Sequence, residues 1–156
     1  MRIHLLAIGE RPDAWVEQGY REFARRLPPE CALRLTEVPT GKRGKNADIA
    51  RLVEREGERL LAAVPAGALV IALDVRASAW NTAQLAGRLA QWMQDGRDVA
   101  LLVGGPDGLA PACLERAELR WSLSPLTLPH ALVRVIVAEQ IYRAWSICRG
   151  HPYHRD

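Results

Sequence analysis

Val103-Gly104-Gly105-Pro106-Asp107-Gly108 follows an apolar run, and Leu123-Ser124-Pro125-Leu126-Thr127-Leu128-Pro129-His130 precedes the longest helical pattern. Both stretches have the composition of loops that expose main chain. Paired glycines let a backbone approach a ligand because no Cβ intervenes. In open α/β sheets, ligands bind outside the carboxyl ends of strands. Leu73, Leu126 and Leu128 would supply apolar walls, and free N–H and C=O groups would supply hydrogen bonds. That combination suits a flat adenine ring better than a polyphosphate. Gly105-Pro106-Asp107-Gly108 would equally make a plain turn. Neither GxGxxG nor GxxxxGK[ST] occurs, so the usual dinucleotide and triphosphate cradles find no support.

Two further clusters carry charge. Lys42 and Lys45 are the only lysines of the chain, and both sit with Arg43 in Gly41-Lys42-Arg43-Gly44-Lys45-Asn46. Glycines and cations together suit an RNA backbone, although a solvated loop has the same composition. The ending His151-Pro152-Tyr153-His154-Arg155 places aromatic, imidazole and guanidinium groups side by side, as in segments that stack on unpaired bases. The alternative is a disordered end. Two histidines without an acidic neighbour at ligand spacing make a poor metal site. His130 and Arg134 fall at the entrance and first turn of the last helix, as substrate contacts or as a cap and core edge.

Strands must carry these loops. Met1–Ile8, Ala32–Val38, Leu69–Leu73, Val99–Val103 and Trp121–Ser124 read as strands, with Val99–Val103 buried on both faces. Helical spacing runs from Pro12 or Asp13 to Leu27, over Ile49–Val64 (capped by Asn46 or Asp48), Thr82–Gln94 and Pro111–Ala117, and from Ala131 to Cys148. Glu54, Arg55, Glu56, Glu58 and Arg59 read as a solvated face. Strand and helix alternate, so the expected fold is α/β, with a mostly parallel sheet flanked by helices. The last helix is apolar over more than one face, and burial against a second subunit is the economical reason.

Composition bounds the rest. At 156 residues and a formal charge of +3, the chain reads as a single globular domain, 1–156. It shows no apolar run of membrane length and no secretory signal, so a cytoplasmic location and no membrane partner are expected. Cys31, Cys113 and Cys148 are odd in number and lack a CxxC pair, which points to idle thiols.

At these loops the chain resembles the ribosomal RNA large subunit methyltransferase H family. The likeness covers Gly41–Asp48, Gly104–Gly108, Leu126-Thr127-Leu128-Pro129-His130 and the closing His151–Arg155, in one order from end to end. It implies a SPOUT-type fold with a C-terminal trefoil knot, a homodimer, and S-adenosylmethionine as methyl donor. It further implies methylation of N3 of a pseudouridine in 23S rRNA within the assembled ribosome. Carried over by position, Leu73, Gly104, Gly105, Leu123, Ser124, Pro125, Leu126, Thr127 and Leu128 would hold the cofactor. Lys42, Arg43, Lys45 and Arg134 would meet RNA, and no metal is required. Arg76-Ala77-Ser78-Ala79 departs from the family's pattern in a loop near the substrate entrance. Loss of the imide proton asks for a base or a stabilising field, for which His154, Tyr153, His130 and Arg155 are the candidates. A non-catalytic RNA-binding ribosome assembly factor is the competing reading, and it would have no use for a methyl donor. A small nucleotide-binding enzyme is disfavoured by the missing phosphate loops.

Overall fold

Strands that are apolar on both pleats bury two faces, and this chain builds its centre from them. The computed structural model describes residues 1–155. Five parallel strands lie in the order β2-β1-β4-β3-β5: β1 (Arg2–Ile8), β2 (Ala32–Val38), β3 (Leu69–Leu73), β4 (Val99–Val103) and β5 (Leu119–Trp121). β4 is central, as expected, and buried along its whole length. It pairs with β1 from Ile3↔Val99 to Ala7↔Val103, and with β3 from Leu69↔Val99 to Ala72↔Leu102.

Alternation then sorts the side chains into two cores. Ile3, Leu5, Ile71 and Leu101 face α1 (Ala14–Ala24), α3 (Thr82–Asp95) and α5 (His130–Arg149). Leu6, Ile8, Val70 and Leu102 face α2 (Ile49–Ala62) and α4 (Pro111–Arg116). The helix ends follow local chemistry. Asp48 caps α2 by accepting the Arg51 N–H at 3.2 Å. Asn81 and Gln84 form a capping box on α3. Gly150 ends α5 at φ 63°, in the left-handed region that glycine enters freely.

Three expectations need correction. The last strand is Leu119–Trp121 rather than Trp121–Ser124. Leu119, Arg120 and Trp121 pair with β3, after which Leu123 and Ser124 turn away to line a cavity. The girth of α5 is partly explained within one chain, because it lies against both α1 and α3. A Cβ on Gly19 would come 3.2 Å from Val135, which shows how closely α1 and α5 approach. Finally, Glu56 is no part of a solvated face: it is 2% exposed, in the buried stripe of α2 with Val53 and Leu60.

Candidate functional site

A cavity of about 310 Å³ opens at the carboxyl ends of β3, β4 and β5. Leu73, Gly104, Gly105, Leu123, Ser124, Leu126, Thr127 and Leu128 all line it, and His130 stands at its edge. Of the expected cofactor residues only Pro125 is absent from the wall. Asp74, Val103, Trp121, Ser122 and Val133 also contribute and were not anticipated. The Leu123–His130 segment is shaped by its own hydroxyls. Ser122 donates to the Ser124 carbonyl at 3.1 Å, and Ser124 Oγ accepts the Leu126 N–H at 2.9 Å. Leu126 is left 69% exposed at the mouth, an apolar side chain turned largely to solvent. Among the described residues no side chain caps the first turn of α5, whose Leu132 and Val133 amides donate to the Pro129 carbonyl at 3.0 and 3.2 Å.

The two glycines serve a purpose other than ligand approach. A Cβ on Gly104 would lie 2.5 Å from the Gly108 carbonyl carbon, and one on Gly105 would lie 2.9 Å from Ile8 Cγ2. Their missing side chains let the loop fold on itself and against β1. The turn closes with the Gly108 N–H on the Gly105 carbonyl at 3.1 Å, with Gly108 at φ 81°.

The basic loop divides its cations. Lys42 and Lys45 are exposed. Arg43, expected on RNA, is instead engaged by protein. Its Nη1 and Nη2 donate to the two Glu56 carboxylate oxygens at 2.9 Å each, and its Nε donates to Asp107 at 2.8 Å. Thr40 Oγ1 and the Gly41 carbonyl take further bonds from Nη1. Burial pushes the Glu56 carboxyl up, but the bonds from Arg43, Thr40 and the Gly41 amide together hold it below the usual carboxylate range. Glu56 was legible in principle. It falls three residues after Val53 and four before Leu60, on the helix face that must be buried, where a carboxylate demands a cation.

Arg134, also expected on RNA, is 3% exposed. It donates to the Gly9 carbonyl at 2.6 Å and lies 3.4 Å from Glu37, which ties the turn after β1 to α5. In the single chain it supports the Gly9 backbone and also lines a second cavity with Tyr20 and Glu37.

The C-terminal segment is ordered. Tyr153 packs on Phe23 and Tyr142, and its hydroxyl donates to Glu139 at 3.0 Å. Burial and then the Glu139 bond raise the phenol above its ordinary value, so here Tyr153 is a donor and not a base. His154 Nδ1 lies 3.2 Å from Ser146 Oγ, whose own proton goes to the Arg143 carbonyl at 2.7 Å. Arg155 is exposed. His130 and His154, grouped together on sequence, are separated here. Ser146 lies 16 residues along α5 from His130, about 24 Å at the helical rise, and Glu139, which holds the Tyr153 hydroxyl, lies nine residues along it, about 14 Å, so the tail docks on the middle and the C-terminal half of the helix.

Comparison with known proteins gives this geometry a family. The family described as "predicted SPOUT methyltransferase" matches residues 1–154. Ribosomal RNA large subunit methyltransferase H of Thioalkalivibrio sulfidiphilus (strain HL-EbGR7) is 63% identical over 156 residues, covering 100% of both chains. Among solved structures, a methylase family protein from Haemophilus influenzae Rd KW20 superposes with a TM-score of 0.55 at 14% identity, over 99% of this chain and 70% of that one. Lpg2936 from Legionella pneumophila, solved with the bound cofactor SAM, superposes with a TM-score of 0.51 at 12% identity, over 92% of this chain and 66% of that one. At such identities the two structures speak for the fold.

Proposed function

The chain belongs to the SPOUT methyltransferases, in the family of ribosomal RNA large subunit methyltransferase H, and on that premise we propose that it methylates N3 of a pseudouridine in 23S rRNA on the assembled ribosome. The observation that carries this reading is the cavity at the carboxyl ends of β3 and β4, roofed by Leu123–Leu128. Its size is at the lower end for small-molecule sites, and its walls are mainly apolar with main-chain groups between them, which fits the adenosyl part of S-adenosylmethionine. That cofactor brings its own electrophile, a sulfonium methyl.

The protein therefore has to align, exclude water and accommodate one proton. As the N–CH3 bond forms and the S–CH3 bond breaks, the imide N3–H must be lost. Leu73, Leu126 and Leu128 keep the cavity dry, while Lys42 and Lys45 present exposed charge to phosphates. His154, the imidazole of the tail, held 3.2 Å from Ser146 Oγ through Nδ1, is the tail's group to take the proton.

The distance along α5 bears on how the tail is used. A tail docked on Glu139 and Ser146, about 14 and 24 Å along α5 from His130, serves catalysis if a second copy lays its α5 antiparallel beside the first. Half-buried Leu132 and Ile136 on α5, and Trp15 at 56% exposure on α1, offer apolar surface for such a homodimer. Among the described residues no helix is long and apolar enough to cross a membrane.

Calorimetric titration with S-adenosylmethionine, followed by transfer of its labelled methyl group to ribosomes, tests the reading. Binding followed by transfer to 23S rRNA supports it. RNA binding without cofactor binding would leave a non-catalytic assembly factor.

A further inference from the structure

Arg43 touches two loops with different work. Its own loop carries exposed Lys42 and Lys45 on either side of it. Its Nε reaches Asp107, 64 residues away, in the turn whose Gly104, Gly105 and Gly108 line the cavity. The base of the bridge is fixed, because Glu56 is buried and grips the other end of the guanidinium through both oxygens. Glu56 also underlies the same turn, with Oε1 3.8 Å from the place a Gly105 Cβ would occupy. Asp107 is not in the wall of this cavity but of a neighbouring opening, which shares Leu73, Gly108 and Leu109 with it. A displacement of Gly41–Asn46 must pull on Asp107 or break a charge-assisted bond of 2.8 Å.

We propose that Arg43 is a positioning residue through which engagement of rRNA by Lys42 and Lys45 tightens the grip of the Gly104–Gly108 turn on the cofactor. This rests on the methyltransferase reading above. Phosphates on the two lysines settle the basic loop, Arg43 carries that order to Asp107, and the turn closes on the adenosyl group. Because coupling between binding sites is reciprocal, the cofactor strengthens rRNA binding by the same factor.

The test is equilibrium dialysis of labelled S-adenosylhomocysteine, which cannot react, with and without saturating assembled ribosomes. The parent protein should bind it at least about fivefold more tightly when the ribosome is present, the lower end of measured couplings. Asp107→Ala severs the bridge while leaving the Arg43–Glu56 pair, and should bring that ratio close to one. Asp107→Glu should restore much of it. A merely structural role would lower thermal stability in Asp107→Ala and leave the ratio untouched, which would overturn the proposal. A parent protein that binds both ligands with a ratio of one overturns the coupling alone. A parent protein that binds no S-adenosylhomocysteine overturns the methyltransferase reading together with it.

Discussion

Glu56 and Arg43 show how one buried carboxylate organises a surface loop. The pair has a pH signature. Glu56 titrates below its unfolded value, so the stability it contributes is complete above the ordinary carboxylate range and is lost as pH falls through its folded pKa. Glu56→Gln should therefore flatten the acid limb of a plot of Tm against pH, relative to the parent protein. It should also cost on the order of 1–3 kcal/mol at neutral pH, because Arg43 loses a charged partner. An unchanged acid limb would mean the ion pair is not coupled to folding. The neighbouring lysines should behave differently. Lys42→Ala with Lys45→Ala should leave Tm nearly unchanged, since both are exposed, and should weaken ribosome binding. The slope of log affinity against log salt should fall by roughly 0.7–0.9 for each phosphate that is no longer neutralised. An unaltered salt slope would place the RNA elsewhere.

At the scale of elements, the turn after β4 and the segment after β5 make the cavity together. Gly104→Ala drives a Cβ into the Gly108 backbone, so the turn must open. Titration should show S-adenosylmethionine affinity reduced at least about tenfold, an estimate from the cost of overpacking. Parent-like affinity would mean the turn does not hold the cofactor. The tail should separate from this. Removal of Tyr153–Asp156 should abolish methyl transfer and spare cofactor affinity, because Tyr153 and His154 dock on Glu139 and Ser146 and do not line the cavity. Full activity in the truncated protein would move the proton-accepting group to His130.

Much of this was legible in sequence, and the exceptions have physical causes. Val99–Val103 announced a central strand because both its pleats are apolar, and the cavity loops announced themselves by glycine and proline at strand ends. The end of β5 was misjudged because Trp121 to Ser124 continues an apolar alternation, while pairing with β3 stops at Trp121. Arg43 and Arg134 looked like RNA-binding residues because guanidinium groups serve equally well as internal clamps. Their partners in this chain, Glu56 with Asp107 for one and Gly9 with Glu37 for the other, are far apart in sequence and so cannot be read from spacing. The separation of His130 from the tail follows from the length of α5, which was readable, but spacing did not show which way the tail folds back.

Across the whole molecule, one chain holds a complete cavity and keeps its tail away from it. A homodimer should reconcile the two. Trp15→Glu, placing charge on an exposed apolar position, should yield a folded monomer by light scattering, with cofactor affinity retained and methyl transfer lost. A monomeric parent protein at micromolar concentration, fully active, would sink that arrangement. The most direct test of the central claim concerns the product. Ribosomes lacking the modification are incubated with the protein and methyl-labelled S-adenosylmethionine, and the nucleosides of 23S rRNA are then separated by chromatography with mass detection. The account predicts label in a single nucleoside, a pseudouridine methylated on N3. Label confined to another base, to a ribose or to ribosomal protein, or no label at all, would contradict it.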